Sequence, residues 1–378
     1  MEQITLIATA TFGLETAVKH EVANLGYDIT HVTNGRVEFA ATPTDIPRAN
    51  LWLRCADRVL LKMGAFTAVT FDELFEQTKA LPWENLITAD GRFTVNASAS
   101  KSVLLSDRSV QSLVKKAVVE RLQTAYDIDW FPETGAAFTI EVSIFQDLVL
   151  LAVDTSGPGL HKRGYRQEAG EAPLKETMAA ALVAFSFWNR ERLLIDPFCG
   201  AGTILIEAAL MGRNIAPGLQ RTFAAEEWPL LPATAWPEAR AEAAAAQNNE
   251  AELQIFGYDN DAASIGMARR NADRAGVAGD ITFAQKDVHE LWIDQQHGIL
   301  IANPPYGQRV GEFQALNQIY ITLNKMFRKK MGWSIYILTA DKKFPHYFKR
   351  ARPNRVRKMY NGRIEVNYYQ YYGEKPPQ

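Results

Sequence analysis

The sequence predicts an α/β chain whose C-terminal half builds a parallel sheet, preceded by a smaller α+β region. Three observations carry this. Beyond residue 174, apolar runs of strand length alternate with helical patterns, the order that gives a parallel sheet covered on both faces. Before residue 157, strands and helices mix without that alternation. Between the two lies GPGLHKRGYRQEAGEAP, residues 157–173, a Gly-rich, charged stretch with the texture of a linker or hinge.

Taken in order, ITLIATA (4–10) reads as a strand, and LETAVKHEVANLG (14–26) as a helix closed by Gly26. DITHVT (28–33) and RVEFAA (36–41) flank Asn34-Gly35, a hairpin signal. A second unit follows LWLRCADRVLLKMGAF (51–66). It has helical FDELFEQTKAL (71–81), strand-like RFTVNAS (92–98), a long helical run (108–126) and two strands, AFTIEVSIF (137–145) and LVLLAVDTS (148–156). After the linker come helix 174–189, strand RLLIDPF (192–198), helix 202–212, strand LQIFGYDN (253–260), helix 262–276, strand ITFAQKD (281–287) and strand GILIANPP (298–305). Helix 313–331 and strands 333–340 and 364–372 complete the order. Residues 217–252, with Trp228, Trp236 and several prolines, interrupt the alternation and read as an ordered insertion packing on the sheet.

At 378 residues the chain is long enough for two or three domains. The expected division is 1–55, 56–156, a hinge at 157–172, and 173–378 with its insertion at about 217–252. Apolar residues make up 47% and charged residues 22%, an ordinary globular composition. The N-terminus lacks a basic n-region and a cleavage site, and no run is long enough to span a bilayer, so a cytoplasmic location is expected. Cys55 and Cys199 match no metal-ligand spacing, so neither a metal nor a disulfide framework is expected. A net charge of −2 does not point to a polyanion partner, but the distribution does: residues 342–363 hold nine Lys or Arg and no acid.

Chemistry concentrates at the carboxyl ends of the C-terminal strands, where ligands of such sheets bind. In DPFCGAGT (196–203), Gly200 and Gly202 let the backbone turn sharply, and the helix starting at Thr203 offers free amides to an anion. Asp196 can face an ammonium. A ligand carrying both groups, such as the amino-acid end of S-adenosylmethionine, fits better than a dinucleotide, since G-x-G-x-x-G is absent. Pro197, Gly200, Gly202 and Thr203 are the loop positions expected to meet it. Asp259 ends the next strand, placed for both hydroxyls of a ribose; Asn260 and Asp261 suit helix capping, and Asn260 also borders the nucleoside position. Asp287, with Val288 beside it, ends the following strand and could accept from an adenine amino group. Three acids at successive strand ends form a set. Cys199 reads as a small packing residue.

After the strand 298–302 comes Asn303-Pro304-Pro305-Tyr306. An exocyclic base amine is a poor nucleophile because its lone pair is delocalised into the ring, so it must be held while its nitrogen pyramidalises. The Asn303 side-chain oxygen and the Pro304 carbonyl could each accept one N–H, proline rigidity would fix them, and Tyr306 could stack on a base taken out of its helix.

These motifs resemble the class I S-adenosylmethionine-dependent methyltransferases that modify base amines. With ATATFGLETAVKHEVANLGY (8–27), SVQSLVKKAVVERL (109–122), LHKRGYR (160–166) and KMYNGRIEVNYYQYY (358–372), nearly the whole chain resembles the bacterial THUMP-domain RNA methyltransferases related to the 23S rRNA guanine-N2 enzymes. The resemblance implies a ferredoxin-like part, a THUMP RNA-binding module and a Rossmann-like catalytic domain with a mostly parallel seven-stranded sheet. It implies S-adenosylmethionine as cofactor and RNA as partner, with guanine N2 in 23S rRNA as target. Lys349, Arg350, Arg352, Arg355 and Arg357, interleaved with Phe344, Tyr347, Phe348 and Tyr360, form a candidate RNA surface, as do Lys101, Arg108 and Lys115 in the THUMP region; Lys115 and Lys116 equally suit a solvated helix face. Adenine N6, in RNA or DNA, suits the Asn-Pro-Pro-Tyr geometry equally well, and a silent RNA-binding protein would keep the same fold.

Overall fold

The computed structural model describes residues 3–167, 174–305, 310–350 and 352–375. Its first half is one seven-stranded sheet in the order β2-β3-β1-β4-β7-β6-β5. The strands are β1 (Ile4–Thr9), β2 (Ile29–Thr33), β3 (Arg36–Ala41), β4 (Arg58–Thr67), β5 (Arg92–Ser100), β6 (Ala137–Phe145) and β7 (Leu148–Asp154), with helices α1 (Glu15–Asn24), α2 (Asp45–Trp52), α3 (Phe71–Lys79) and α4 (Asp107–Tyr126). The hairpin expected at Asn34-Gly35 is present, with Thr33 opposite Arg36. β4 pairs with β1 through Arg58–Leu61 and with β7 through Leu60–Thr67, so one strand joins the two N-terminal units. The expected division after residue 55 therefore meets no break in the sheet.

The second sheet runs β10-β9-β8-β11-β12-β14-β13. Its strands are β8 (Leu194–Asp196), β9 (Ile255–Asp259), β10 (Ile281–Gln285), β11 (His297–Ala302), β12 (Gly332–Thr339), β13 (Arg355–Asn361) and β14 (Ile364–Tyr371). Helices α5 (Glu176–Ala184), α6 (Thr203–Gly212), α7 (Ala235–Ala245), α8 (Ala262–Arg274), α9 (Val310–Phe327) and α10 (Phe344–Phe348) accompany them. The first five strands in spatial order are parallel; β14 runs antiparallel to β12, and β13, antiparallel to β14, runs again in the direction of the first five. All eight residues of β12 are buried, as a strand covered on both faces requires. Sequence order reverses between β8 and β11, and that switch point opens a crevice at their carboxyl ends.

Two expectations are corrected. The described part of the linker, residues 157–167, is bolted down. Arg163 is 3% exposed, pairs with Glu207 of α6 and donates to the Arg54 and Leu160 carbonyls; the Tyr165 hydroxyl donates to Glu207 at 3.0 Å, and Arg166 pairs with Glu176 at 3.0 Å. Its two arginines are consumed inside the fold, so it acts as a strap; residues 168–172 of the expected hinge lie outside the described residues. The Trp/Pro insertion packs on the N-terminal half, not on the second sheet. Trp228 sits 5.1 Å from the Phe138 ring of β6 and donates to the Ala137 carbonyl, and α7 lies against α2. The basic run 342–363 contains α10 and β13.

Candidate functional site

At the switch point, a crevice of about 500 Å³ is lined by Pro197 and Phe198 after β8, Asp259 and Asn260 after β9, Asp287, Val288 and His289 after β10, and Asn303 and Pro305 after β11. Four successive strands thus each deliver their first loop residues to one cavity. Of the residues expected from sequence to meet a cofactor, Pro197, Asp259, Asn260, Asp287 and Val288 line it, whereas Asp196, Gly200, Gly202 and Thr203 are not among its lining residues.

The loop after β8 explains its glycines. Gly202 has φ +81°, and a Cβ there would lie 3.1 Å from both Ala268 and Phe283, so a side chain is excluded by conformation and by space. A Cβ on Gly200 would meet nothing within 4 Å, leaving an open cradle. α6 begins at Thr203 with no side-chain cap hydrogen bond. Asp196 is 1% exposed and accepts the Phe198 amide at 3.0 Å. Burial, reinforced by the nearby Asp259 carboxylate, pushes its carboxyl up to about 8. Among the described residues no cation faces it. A buried acid of this kind lacks a positive partner, and an ammonium would supply one.

Asp259 accepts the Gly200 amide at 2.9 Å and the Asp261 amide at 3.0 Å. It therefore braces the glycine loop from the neighbouring strand, a role the sequence did not suggest. Asp261 is the N-cap of α8, accepting from Ala263 and Ser264. Asn260 is not a cap; its carbonyl accepts from Gln285. Asp287 caps a short 3-10 turn by accepting the His289 amide at 2.8 Å and lines the crevice. Cys199 is buried, and burial together with the two aspartates pushes its thiol far up, which excludes a nucleophilic thiolate.

At the end of β11, the Asn303 side-chain oxygen is buried with no hydrogen-bond partner among the described residues; Pro304 is buried and Pro305 exposed. Tyr306 lies outside the described residues. An orphaned buried acceptor costs about 1–3 kcal/mol, so a donor is owed to it. His289, Ala315, Gln318 and Ile319 also line the crevice and were missed from sequence. The signal was the helix after Asn303-Pro304-Pro305, which must return across the strand ends. The His289 ring is fixed by a 2.7 Å contact from Nδ1 to the Thr322 hydroxyl.

The basic residues singled out from sequence divide. Lys349, Arg352 and Arg355 are exposed. Arg350 is spent internally, donating to the Lys330 and Trp333 carbonyls at 3.1 and 2.9 Å, and Arg357 lies over the Phe185 ring at 3.9 Å. Phe344 and Phe348 are fully buried and belong to the core. On the first half, Arg108 is exposed, Lys101 and Lys115 lie near the Phe145 and Phe93 rings, and Lys116 pairs with Glu120. These side chains sit on the first half's loops and helix α4, away from the crevice lining. Among the described residues no cluster of three or more His, Cys, Asp or Glu could hold a metal, and no helix is long and apolar enough to cross a membrane.

Residues 163–370 match a family model described as RMKL-like, methyltransferase domain; residues 5–60 match the RlmL ferredoxin-like domain and residues 68–154 the THUMP domain. The chain is 44% identical over 380 residues to YpsC of Bacillus subtilis, provisionally named an RNA methyltransferase, covering 100% of this chain and 98% of that one. It is 32% identical over 370 residues to the ribosomal RNA large subunit methyltransferase K/L of Shewanella baltica, covering 96% of this chain but 52% of that protein, so it spans about half the length of such relatives. Among solved structures, a Listeria monocytogenes protein described by N6-adenine-specific DNA methylation superposes with TM-score 0.94 at 46% identity, covering 99% and 97% of the two chains. SMU.472, described as a methyltransferase and complexed with SAH, superposes with TM-score 0.94 at 40% identity over 100% of both chains.

Proposed function

The chain belongs to the RMKL-like methyltransferase family, with a THUMP domain before its S-adenosylmethionine-dependent catalytic domain, and from that premise we propose that it methylates an exocyclic base amine of RNA, guanine N2 of 23S rRNA. The observation that carries the chemistry is the buried, unpartnered Asn303 oxygen at the lip of the acid-lined crevice. RNA as substrate is supported by the THUMP match and by the names of the K/L relatives and YpsC. Action on rRNA would place the protein in the cytoplasm.

The residues present fit the cofactor. Asp196, buried without a cation among the described residues, would face its ammonium and the Gly200–Thr203 loop its carboxylate; of the crevice lining, Asp259 with Asn260 would hold its ribose and Asp287 with Val288 its adenine, while Pro197 shapes the loop between them. When bound, it supplies an electrophilic methyl. The chain's part is to hold the amine. The Asn303 oxygen and the Pro304 carbonyl each accept one N–H, which draws the nitrogen out of conjugation and aims its lone pair, and Tyr306 is assigned to stack on the base. Since the acceptor is already desolvated, the hydrogen bond to the amine is gained without first stripping water from it.

Adenine N6 is the second reading, favoured by the description of the Listeria structure and allowed by the same acceptors. Nucleoside mass spectrometry of rRNA from cells lacking the protein separates the two. Loss of one N2-methylguanosine is expected; loss of N6-methyladenosine instead would establish the second reading, and an unchanged nucleoside profile would remove rRNA as the substrate.

A further inference from the structure

The antiparallel end of the second sheet carries a contact between the two halves. Register aligns Ala302, the residue before Asn303, with Ile337 on β12, Ile337 with Tyr369 on β14, and Tyr369 with Val356 on β13. Tyr360 is four residues further along β13, past the level of Asn303, at the carboxyl rim of the sheet. Three strand spacings and four residue rises place it on the order of 20 Å from Asn303. Against it stands Phe12 of the β1–α1 loop, edge-on at 5.8 Å and 47% exposed.

Phe12 is held outward. The Ala10 amide donates to the Gly35 carbonyl, the Thr11 hydroxyl to Asp57, and the Gly13 amide to Glu15, so the loop's polar groups are fixed on both sides of the ring. Gly13 rests on β13 so closely that a Cβ there would lie 2.6 Å from the Lys358 carbonyl. Phe12 therefore presents its ring to solvent beside Tyr360. Charge surrounds the pair: the Lys358 ammonium is 5.6 Å from the Tyr360 ring, and Lys342 is 76% exposed. Both lysines share the single carboxylate of Glu365.

Resting on the RNA reading above, we propose that Phe12 and Tyr360 form a composite stacking platform for a single-stranded nucleotide flanking the target base, with Lys358 and Lys342 on its phosphates. Neither half of the chain makes this platform alone. Aromatic faces beside cations are the elements of sequence-tolerant single-strand binding, and the distance from Asn303 excludes the target base itself.

The test uses the full chain, a fluorescent 12-nucleotide oligoadenylate and the double variant Phe12→Leu/Tyr360→Leu, which keeps apolar bulk but removes both rings. Anisotropy should show roughly five- to tenfold weaker binding, the low end for one base–aromatic stack, with SAH affinity unchanged. Oligonucleotide binding equal to wild type, in a variant whose melting temperature is preserved, overturns the platform. So does a wild-type protein that methylates rRNA without holding the oligomer. A wild-type protein that neither binds nor methylates RNA removes the RNA reading itself, which keeps the two failures distinguishable.

Discussion

Asp196 and Asn303 are both groups that the fold keeps at a cost, and that cost marks the crevice as a binding site. Asp196 is the sharper case because its titration can be followed. Its folded carboxyl titrates at about 8 against 3.8 when free, through burial first and the Asp259 charge second. Between those values the folded state holds a proton that the unfolded chain has lost, so stability attributable to Asp196 is full below pH 4 and falls as pH rises to 8. Asp196→Asn removes this penalty and also the negative partner for an ammonium. Melting of the ligand-free variant at pH 8 should therefore rise, by roughly 1–3 kcal/mol of stability, with no gain at pH 4, while the thermal shift given by SAH disappears. A variant that keeps the SAH shift would show that Asp196 does not meet the cofactor. The acid itself was legible from its place at a strand end; its isolation from any cation was not, since that depends on which side chains four strands and two helices bring within reach.

At the scale of elements, the β13–β14 hairpin shows what patterning hides. Gly362 turns it with φ +62°, next to Asn361, the same dipeptide that marked the first hairpin. Gly362→Ala should cost about 1 kcal/mol from backbone conformation alone, because a Cβ there meets no atom within 4 Å. Hydrogen exchange of β13 amides should quicken about fivefold while SAH binding holds, and unchanged exchange would deny the strained turn. β13 escaped the sequence reading because it is an edge strand: Arg355, Val356 and Lys358 are exposed, so apolar alternation is lost and charge guards the edge instead. α2 was hidden for another reason, Pro47, which sits in its first turn where no amide is needed. The parallel strands were plain, since burial on both faces leaves continuous apolar runs such as those of β11 and β12. What periodicity cannot tell is which surface an element covers, and so the tryptophans of the insertion were assigned to the wrong sheet.

The whole molecule is held together where the sequence suggested a hinge. Arg54 donates to the Ile215 carbonyl at 2.7 Å, Arg163 reaches the Arg54 carbonyl, and the same Arg163 faces Glu207, which is 0% exposed, so a buried ionic chain crosses from the N-terminal half into α6. A buried pair adds little over an apolar replacement but is expensive to break from one side. Arg163→Met leaves Glu207 with the Tyr165 hydroxyl and the charge of Arg54 but without its ion pair, and guanidinium unfolding should show a loss of about 3–5 kcal/mol. Adding Glu207→Leu removes the stranded carboxylate and should restore most of that loss. If the two halves are joined here, the single variant should also split one unfolding transition into two, reported separately by Trp333 in the second sheet and Trp83 in the first half, and the double variant should merge them again. Recovery of stability without merging would mean that the pair serves α6 alone, and that Trp228 on Phe138 carries the junction; a single variant no worse than an ordinary surface substitution would remove the ionic chain from the account of how the halves are fixed. The distinction bears on catalysis, because a platform made of Phe12 from one half and Tyr360 from the other keeps its geometry only as long as this junction does.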